Sequence, residues 1–475
     1  MTRSRIVAIA ALVLATSAAA AARVVRTDTA AEQGSAGDPT SALLVDLLRI
    51  DTSNPPGNEA GIANLLAPRF RALGFAVDIV QTPEAGKAHF IARLRGNGSK
   101  RPLLLAAHAD VVGVEREKWT VDPFAGVVKD GYVFGRGAID FKGGVAVFAR
   151  AAMMLAERKV PLDRDVIFLA EADEENGRYN TRWLAEQHWD KIDAEFALNE
   201  GGWIIKSASG NVRYVSISTA DKIAVPIIVS AKGTSTHSSM PRPDNAIFAL
   251  SRAMARIADY ETPVNLTPAS RRFFETLAKT SERPMAGHFA DLVSGDAARV
   301  RRADKEISKD PLLHALMRTT LAPVLMNAGF RGNVIPGSAE ATINARLIPG
   351  ADPAELVREL TRVVGDPAVE VRLANPNARA AATAPSPETT DLFRALEKSA
   401  RQQYSAEVTP YLFQAGTDAG AWRSRGIPVY GIYPYAIDSD DLTRMHGNDE
   451  RVSIQSLRDG TEMIYRVLVE VAGRK

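Results

Sequence analysis

Three apolar segments of the sequence, residues 103–107, 165–172 and 194–199, each run into side chains that can bind a metal ion. These side chains are His108 and Asp110 after the first segment, Glu174 and Glu175 after the second, and Glu200 after the third. Continuous apolar runs are typical of strands that are covered on both faces. Neighbouring strands of an α/β sheet bring their carboxyl ends to one crevice, where ligands bind. The pattern therefore indicates one site built from imidazole and carboxylate groups, a ligand set that favours zinc.

Two further residues complete the candidate ligand set. Asp140 lies in a glycine-rich stretch directly before an apolar helix, and His446 supplies a second imidazole near the C-terminus. Each local pattern also has an ordinary interpretation: a core or capping pair for His108 and Asp110, a helix cap for Asp140, and a solvated loop for the acidic run. Burial of like charges is costly unless cations neutralise them. The repetition at three strand ends therefore favours a metal site.

The chemistry that this ligand set predicts is hydrolysis assisted by two divalent ions. Two ions about 3.5–4 Å apart can acidify a water molecule, and a spare carboxylate can move the proton of that water to a leaving amine. Two alternatives remain open from the residues. One is a single-metal site formed by His108, Asp140 and Glu175, and the other is a binding protein without catalytic activity.

The composition of the chain excludes several other classes of protein. The 475 residues include no cysteine, which rules out disulfides, thiolate nucleophiles and cysteine metal ligands. The formal net charge of +2 gives no basis for nucleic-acid binding, which needs a concentrated basic face. The sequence contains no G-x-S-x-G serine-hydrolase motif, and no P-loop or dinucleotide fingerprint.

The N-terminus has the pattern of a secretory signal. Arg3 and Arg5 precede an apolar run over residues 6–16, and small residues continue to Ala22. This pattern predicts a signal peptide over residues 1–22 and a flexible leader over residues 23–39. We therefore expect a periplasmic or secreted protein. An uncleaved signal that anchors the protein to the membrane is the alternative.

Alternating strand and helix patterns predict an α/β catalytic domain with a mostly parallel central sheet. The sequence pattern changes near residue 215, and an α+β unit follows, inserted into the first domain. In this unit, residues 262–325 have a charged, helix-like pattern with proline breaks, residues 353–364 predict a helix, and residues 369–373 predict a strand; a final helix is predicted over residues 454–472. The predicted boundaries are residues 40–218 for the first part of the catalytic domain, 219–376 for the inserted lid or dimerisation domain, and 377–475 for the second part. Residues 375–387 are expected to link the inserted unit back to the catalytic domain.

From residue 41 onward the sequence resembles the M20 metallopeptidase family, whose fold is a zinc-peptidase-like catalytic domain with an inserted lid. Motifs similar to those of the family occur in this order: HADVV, GRGAIDFKGG, EADEENG, NEGG, GTSTHSSMP, NVIPG, INARLIPG, QAGTDAG and HGNDERVS. By this resemblance one metal ion is bound by His108 and Glu200, and the other by Glu175 and His446. Asp140 bridges the two ions. The ions are expected to be zinc, with cobalt or manganese as alternatives.

The resemblance also assigns catalytic roles. Glu174 matches the general base of the family, and Asp110 matches the residue that orients His108. The peptide bond between Asp140 and Phe141 matches a bond that is cis in the family. His237 matches a histidine that reaches the active site of a partner subunit and polarises the scissile carbonyl, which implies a homodimer formed through the inserted domain.

The same resemblance implies the class of substrate. Asn333, Arg346 and the turn formed by Gly416, Thr417 and Asp418 match positions that hold the carboxylate end of a substrate. The stretch from residue 268 to residue 331 resembles the branch that contains carboxypeptidase S and N-acyl amino acid hydrolases. We therefore expect an exported amidohydrolase that cleaves peptides or N-acyl amino acids with a free carboxylate.

Overall fold

The computed structural model describes residues 37–207, 209–376 and 384–474. The predicted signal peptide, the leader up to residue 36 and the centre of the predicted linker lie outside the described residues. Within the described ranges, no helix combines the length and the apolar character that a membrane span needs.

The strands divide among two large sheets and two small ones. In chain order they are β1 Ala76–Gln81, β2 Ala88–Leu94, β3 Leu103–His108, β4 Val127–Lys129, β5 Tyr132–Phe134, β6 Val166–Glu171, β7 Phe196–Asn199, β8 Ile204–Lys206, β9 Val212–Asp221, β10 Ile223–Lys232, β11 Thr236–His237, β12 Thr320–Ala328, β13 Val334–Ile335, β14 Ser338–Leu347, β15 Val369–Leu373, β16 Glu407–Phe413, β17 Val429–Gly431, β18 Ala436–Ile437 and β19 Arg451–Ser453.

The α-helices cover both faces of the larger sheet and one face of the smaller. In chain order they are α1 Pro39–Leu48, α2 Glu59–Ala72, α3 Lys142–Glu157, α4 Thr181–Gln187, α5 Trp189–Ile192, α6 Ala246–Ala258, α7 Pro268–Thr280, α8 Met285–Leu292, α9 Ala297–Ile307, α10 Pro311–Met317, α11 Pro353–Val364, α12 Asp391–Tyr404, α13 Gly420–Arg423, α14 Ser439–Leu442 and α15 Ile454–Ala472.

The central sheet has ten strands, ordered β1-β2-β6-β3-β7-β17-β9-β8-β18, with β16 paired to β9. The middle of the sheet is parallel, because β3 pairs in parallel with both β6 and β7, and β17 pairs in parallel with β7. β3 and β6 are buried along their whole length, as their apolar sequences predict. The predicted α/β fold with a mostly parallel sheet is therefore confirmed.

Two glycines allow the close packing that brings the site together. A β-carbon on Gly144 would lie 2.2 Å from Cζ of Phe141, so only glycine lets this ring rest on the start of α3. A β-carbon on Gly431 would lie 1.9 Å from the backbone oxygen of Glu200, so only glycine lets β17 run beside the end of β7.

A second, four-stranded antiparallel sheet has the order β12-β14-β10-β15. One face of this sheet packs against α6 and α11 and forms a separate apolar core. α11 begins with Asp352 as its N-cap and Pro353 in its first turn, and ends at Gly365 in the left-handed conformation. This helix matches the predicted boundaries of residues 353–364.

The predicted inserted range, residues 219–376, contains residues of two different cores. The helices α7 to α10 do not pack with the four-stranded sheet but belong to the large core of the catalytic domain. Phe273 of α7 contacts Tyr214 and Tyr411, at ring-centre distances of 5.5 and 5.0 Å. After α6, the chain thus packs against the catalytic domain through α7 to α10. It then adds β12, β14 and β15 to the second sheet.

The helical pattern predicted for residues 262–325 is wrong at its C-terminal end. Residues from Thr320 onward form β12, which pairs along β14. Pro323 is compatible with β12 because this strand lies at the sheet edge, and the strand register shifts between Pro323 and Leu325. Pairing with β14 decided the conformation here, and a helical pattern in the local sequence does not reveal such pairing.

Candidate metal centre

The candidate ligands meet at the carboxyl ends of β6, β3 and β7, which are adjacent in the sheet. His108 is the last residue of β3, Glu174 and Glu175 follow β6, and Glu200 follows β7. Their convergence is a direct result of parallel pairing, because parallel neighbours end at the same edge.

One group of potential ligands is formed by His108, Asp140 and Glu200, all of them buried. Nε2 of His108 lies 3.0 Å from Oδ1 of Asp140 and 3.5 Å from Oε2 of Glu200. Burial opposes a charge on the imidazole, but the surrounding carboxylates outweigh burial and raise the pKa of His108 well above its ordinary value. Burial raises the pKa of Glu200 to about 7, although His108 acts against this shift.

The second group is formed by Asp140, Glu175 and His446. Nε2 of His446 lies 3.1 Å from Oδ2 of Asp140 and 3.1 Å from Oε1 of Glu175. Asp140 therefore turns one carboxylate oxygen toward each histidine, Oδ1 to His108 and Oδ2 to His446. This is the arrangement that a bridging ligand requires.

Glu174 lies beside both groups, but its carboxylate is not among those that contact His108 or His446 directly. One of its carboxylate oxygens is within 4.8 Å of ligand atoms of His108 and Glu175. Burial, reinforced by the charge of Glu200, raises the pKa of Glu174 well above its ordinary value. A carboxyl group in this position beside both ligand groups is suited to take a proton and return it.

Asp110 holds the loop of Glu174 and Glu175 more directly than it holds His108. Its carboxylate accepts hydrogen bonds from the backbone N–H of Glu174 at 3.2 Å and of Glu175 at 3.0 Å. Nδ1 of His108 lies 3.0 Å from the backbone oxygen of Asp110 but 3.6 Å from its carboxylate, which is longer than a hydrogen bond. The Asp110 carboxylate therefore positions the acidic loop and also lies within ion-pair distance of His108, while the backbone oxygen of Asp110 contacts the imidazole. Its predicted role in orienting His108 stays a prediction.

A buried polar network of Lys87, Asn54 and Asp173 also holds the loop that carries Glu174 and Glu175. Nζ of Lys87 donates to Oδ1 of Asp173 at 2.6 Å, and both side chains are inaccessible to solvent. Asn54 donates from its amide to Asp110 and Asp173, at 2.8 Å each. Asp173 has a positive φ of 66°, so this network holds a turn that directly precedes the two glutamates.

Glu450 joins the segments that carry Asp140 and His446. Its buried carboxylate accepts from the backbone N–H of Gly137, Ile139 and Asp140 at 2.7–3.0 Å, and from Arg136 at 2.6 Å. Arg136 also donates to the backbone oxygen of Gly447, next to His446. The peptide bond between Asp140 and Phe141 is cis, as the resemblance predicted.

Tyr433 is a functional candidate that the sequence analysis did not single out. Its hydroxyl lies 2.9 Å from Oε2 of Glu200 and 3.2 Å from Oδ1 of Asp140. Burial, with the adjacent charges of Asp140 and Glu200, raises the pKa of Tyr433 well above its ordinary value, so the hydroxyl remains a donor. Its position just after β17, a further strand of the parallel sheet, was the available signal.

Of the residues predicted to bind the substrate carboxylate, Arg346 lies near Glu174 and Gly416, whereas the Asp418 side chain is buried. Arg346 is half-buried on β14, feels the charge of Glu174, and has Nη1 3.9 Å from where a β-carbon on Gly416 would lie. Thr417 donates to Asp221 at 2.6 Å, whereas Asp418 is buried, with a pKa raised to about 6 chiefly by burial. Arg346 and Gly416 thus border the metal centre, and the Asp418 side chain lies beneath its surface.

His237 lies on β11, and Asn333 directly precedes β13, the strand that pairs with β11. His237 pairs with Val334, and the backbone oxygen of Asn333 accepts from Ser238 at 3.0 Å. Both side chains are exposed, and Nδ1 of His237 lies 2.8 Å from Oγ of Ser239. Among the described hydrogen bonds and ion pairs of this chain, neither side chain touches a candidate ligand.

The donor atoms of the two groups fit divalent metal ions. Each group offers one imidazole nitrogen and two carboxylates, with ligand atoms within 4.8 Å of one another. Zinc binds this combination of nitrogen and oxygen donors. The carboxylates outnumber the histidines, and bound cations would offset the cost of burying their charges together.

The chain also matches a protein-family model described as peptidase family M20/M25/M40, over residues 104–470. The chain belongs to this family. Its members are metal-dependent hydrolases, and this chain is an M20-family metallopeptidase or amidohydrolase. The match begins within β3 and ends within α15, and it therefore includes all five candidate ligands.

Two curated proteins illustrate the similarity in sequence. A protein named "Probable carboxypeptidase S-like 2" from Dictyostelium discoideum is 29% identical over 378 residues, which are 78% of this chain and 72% of that protein. The human protein named "N-fatty-acyl-amino acid synthase/hydrolase PM20D1" is 27% identical over 392 residues, which are 80% of this chain and 76% of that protein.

A solved structure shows the same fold. The M20-family metallo-carboxypeptidase Sso-CP2 from Sulfolobus solfataricus superimposes with a TM-score of 0.67 at 17% sequence identity. The alignment covers 91% of this chain and 99% of that chain. The two-sheet architecture is therefore shared along nearly the whole length of both proteins.

Proposed function

We propose that this protein is an exported hydrolase that uses two divalent metal ions, with zinc as the favoured metal, to cleave an amide bond. The substrate is a peptide or an N-acyl amino acid with a free carboxylate. The observation that carries the proposal is Asp140, whose two oxygens face His108 and His446 separately, at 3.0 and 3.1 Å. One carboxylate between two histidine-containing groups supports two ions rather than one.

The residues of the site have distinct roles in the proposed reaction. His108 and Glu200 would hold one ion, Glu175 and His446 the other, and Asp140 both. Bound ions would act as Lewis acids on the scissile carbonyl and on the attacking water. Glu174 takes a proton from that water and returns it to the leaving nitrogen. Asp110 keeps Glu174 in reach through the backbone hydrogen bond that it accepts.

The free carboxylate of the substrate is the feature that Arg346 supports. A half-buried guanidinium beside Glu174 can pair with a carboxylate and orient the amide bond toward the ions. The curated relatives, whose names include a carboxypeptidase and an N-fatty-acyl-amino acid hydrolase, are consistent with such substrates. His237 and Asn333 would join the site only through movement of the inserted sheet or from a second subunit.

We also propose a homodimer formed through the inserted domain, at the four-stranded sheet β12-β14-β10-β15 and the segments next to it. Large apolar side chains are exposed on this part of the chain, at Met240, Ile247, Phe248, Val324, Leu325, Met326 and Phe330. They include residues of β12, an edge strand whose unpaired backbone groups can accept a second copy. Light scattering of the purified protein measures this association directly.

The proposed export rests on the N-terminal pattern of residues 1–22. Mass determination of the protein recovered from the periplasm or medium of a bacterial host is expected to show loss of this segment. A protein that retains residues 1–22 in the membrane fraction would contradict cleavage.

Substitution of Glu174 tests the proposed reaction. In Glu174→Gln, hydrolysis of N-acyl amino acids is expected to fall about 10²- to 10⁴-fold, the usual contribution of a positioned general base. Metal content and thermal stability should be unchanged, because the carboxylates that contact His108 and His446 are those of Asp140, Glu175 and Glu200. Glu186→Gln, on the exposed face of α4, is the matched control. Full activity of Glu174→Gln would overturn the proposed mechanism.

A further inference from the structure

The ring of Tyr433 is held rigidly between two other aromatic rings. It stacks in parallel on Trp203, with ring centres 4.2 Å apart and an angle of 3° between the planes. Phe141, which directly follows Asp140, meets the same ring edge-on at 5.0 Å. Because these contacts fix the ring, they also fix the point at which the hydroxyl of Tyr433 enters the site.

That hydroxyl reaches two carboxylates of the same ligand group. It lies 2.9 Å from Oε2 of Glu200 and 3.2 Å from Oδ1 of Asp140. Both oxygens also lie close to Nε2 of His108. The other oxygen of Asp140, Oδ2, faces His446 and is not the one that Tyr433 contacts. Tyr433 therefore contacts the carboxylate oxygens that face His108, and it does not contact the Asp140 oxygen that faces His446.

We infer that Tyr433 is a positioning residue that sets the metal affinity of the group formed by His108, Asp140 and Glu200. This inference rests on the proposed two-ion function. Among the described residues, Tyr433 is the side chain outside the ligand set that hydrogen-bonds both of these carboxylates. Its proton offsets the repulsion between them, and its fixed location keeps one oxygen of each turned toward His108.

Without the hydroxyl, the two carboxylates would have to be ordered by the ion alone. Outer hydrogen-bond partners of metal ligands typically contribute about 10- to 100-fold to metal affinity. Tyr433→Phe removes only this hydrogen-bonding group and keeps the ring, so the contacts with Trp203 and Phe141 remain. The change therefore separates ligand positioning from packing.

The experiment measures zinc affinity by competition with a chelator in two backgrounds of the full chain. His446→Ala leaves the His108 group as the intact site, and adding Tyr433→Phe is expected to weaken zinc binding about 10- to 100-fold. His108→Ala leaves the other group intact, and there the same change is expected to weaken zinc binding less than about 10-fold, because Tyr433 does not contact the Asp140 oxygen that faces His446. The visible spectrum of bound cobalt should change in the first background only.

Tyr411→Phe is the matched control, because Tyr411 is also buried but its hydroxyl donates to Gln414 at 3.0 Å. It should leave zinc affinity unchanged in both backgrounds. Equal affinity with and without Tyr433→Phe in the His446→Ala background would overturn the inference, as would an equal loss in both backgrounds. If the wild-type chain bound fewer than two ions, the proposed function would fail instead.

Discussion

At the scale of single residues, Arg346 is the side chain that most directly determines the class of substrate. It is half-buried and close enough to Glu174 for the carboxylate to raise its pKa, while burial lowers that pKa more strongly. A substrate carboxylate at this position would gain a charge-assisted hydrogen bond close to the reacting amide.

Arg346→Met is expected to raise KM for N-acyl amino acids by about 10- to 100-fold, since a hydrogen bond to a charged group contributes roughly 1.5–3 kcal/mol. KM for the same compounds with the carboxylate converted to an amide should not change. Arg372→Met is the matched control, because Arg372 lies exposed on β15 of the same sheet. Steady-state kinetics on the two substrate series measures both values. An equal rise in KM for both series would contradict carboxylate recognition by Arg346.

Residue types and spacing predicted the candidate ligands but not the residues that support them. His108, Glu175 and Glu200 were predicted because each comes after an apolar run that is typical of a buried strand, whereas Asp140 and His446 were predicted from a glycine-rich stretch, a second imidazole and the family resemblance. Tyr433 was missed because an aromatic residue after a strand is ordinary core, and its hydroxyl contacts depend on distant residues. The resemblance assigned Asp110 to the orientation of His108, and no sequence pattern indicated that its carboxylate also accepts from the backbone N–H groups of Glu174 and Glu175.

At the scale of elements, the loop before α3 and the segment before β19 behave as one unit. Glu450 accepts four hydrogen bonds from this loop and from Arg136, and all of these groups are buried. Burial raises the pKa of Glu450, although Arg136 and the backbone donors favour its charged form. Asp140 and His446 are therefore positioned together.

Glu450→Gln is expected to lower the free energy of unfolding of the metal-free chain by about 3–5 kcal/mol, because it leaves a buried arginine without its charged partner. Glu157→Gln, which removes an ion pair with Arg150 on the partly exposed side of α3, should cost at most about 1 kcal/mol. Urea unfolding of both variants compares the two effects. A loss for Glu450→Gln no larger than that for Glu157→Gln would show that this carboxylate does not join the two segments.

The elements themselves were predicted with different success for physical reasons. α11, β15 and α15 occur at their predicted positions, because each has a clear apolar period and local start and stop signals. β12 was predicted as helix-like, since its conformation is set by pairing with β14. Most residues of β12 are exposed, so the strand lacks the alternation of buried and exposed residues by which a strand is recognised in a sequence.

At the scale of the whole molecule, the chain crosses between two cores more often than its sequence suggests. The four helices α7 to α10 lie within the inserted range but pack on the catalytic domain, through residues such as Phe273 and Phe274. The smaller sheet is consequently attached to the catalytic domain by several chain crossings. Arg346, at the end of β14, is the point where this sheet reaches the metal centre.

The central claim is that Asp140 joins two metal sites, and counting bound ions tests it most directly. The purified, metal-stripped chain would be equilibrated with excess zinc, freed of unbound metal and measured by elemental mass spectrometry. We predict two zinc ions per wild-type chain and one per chain after His446→Ala. A single ion in the saturated wild-type protein, unchanged by His446→Ala, would contradict the account.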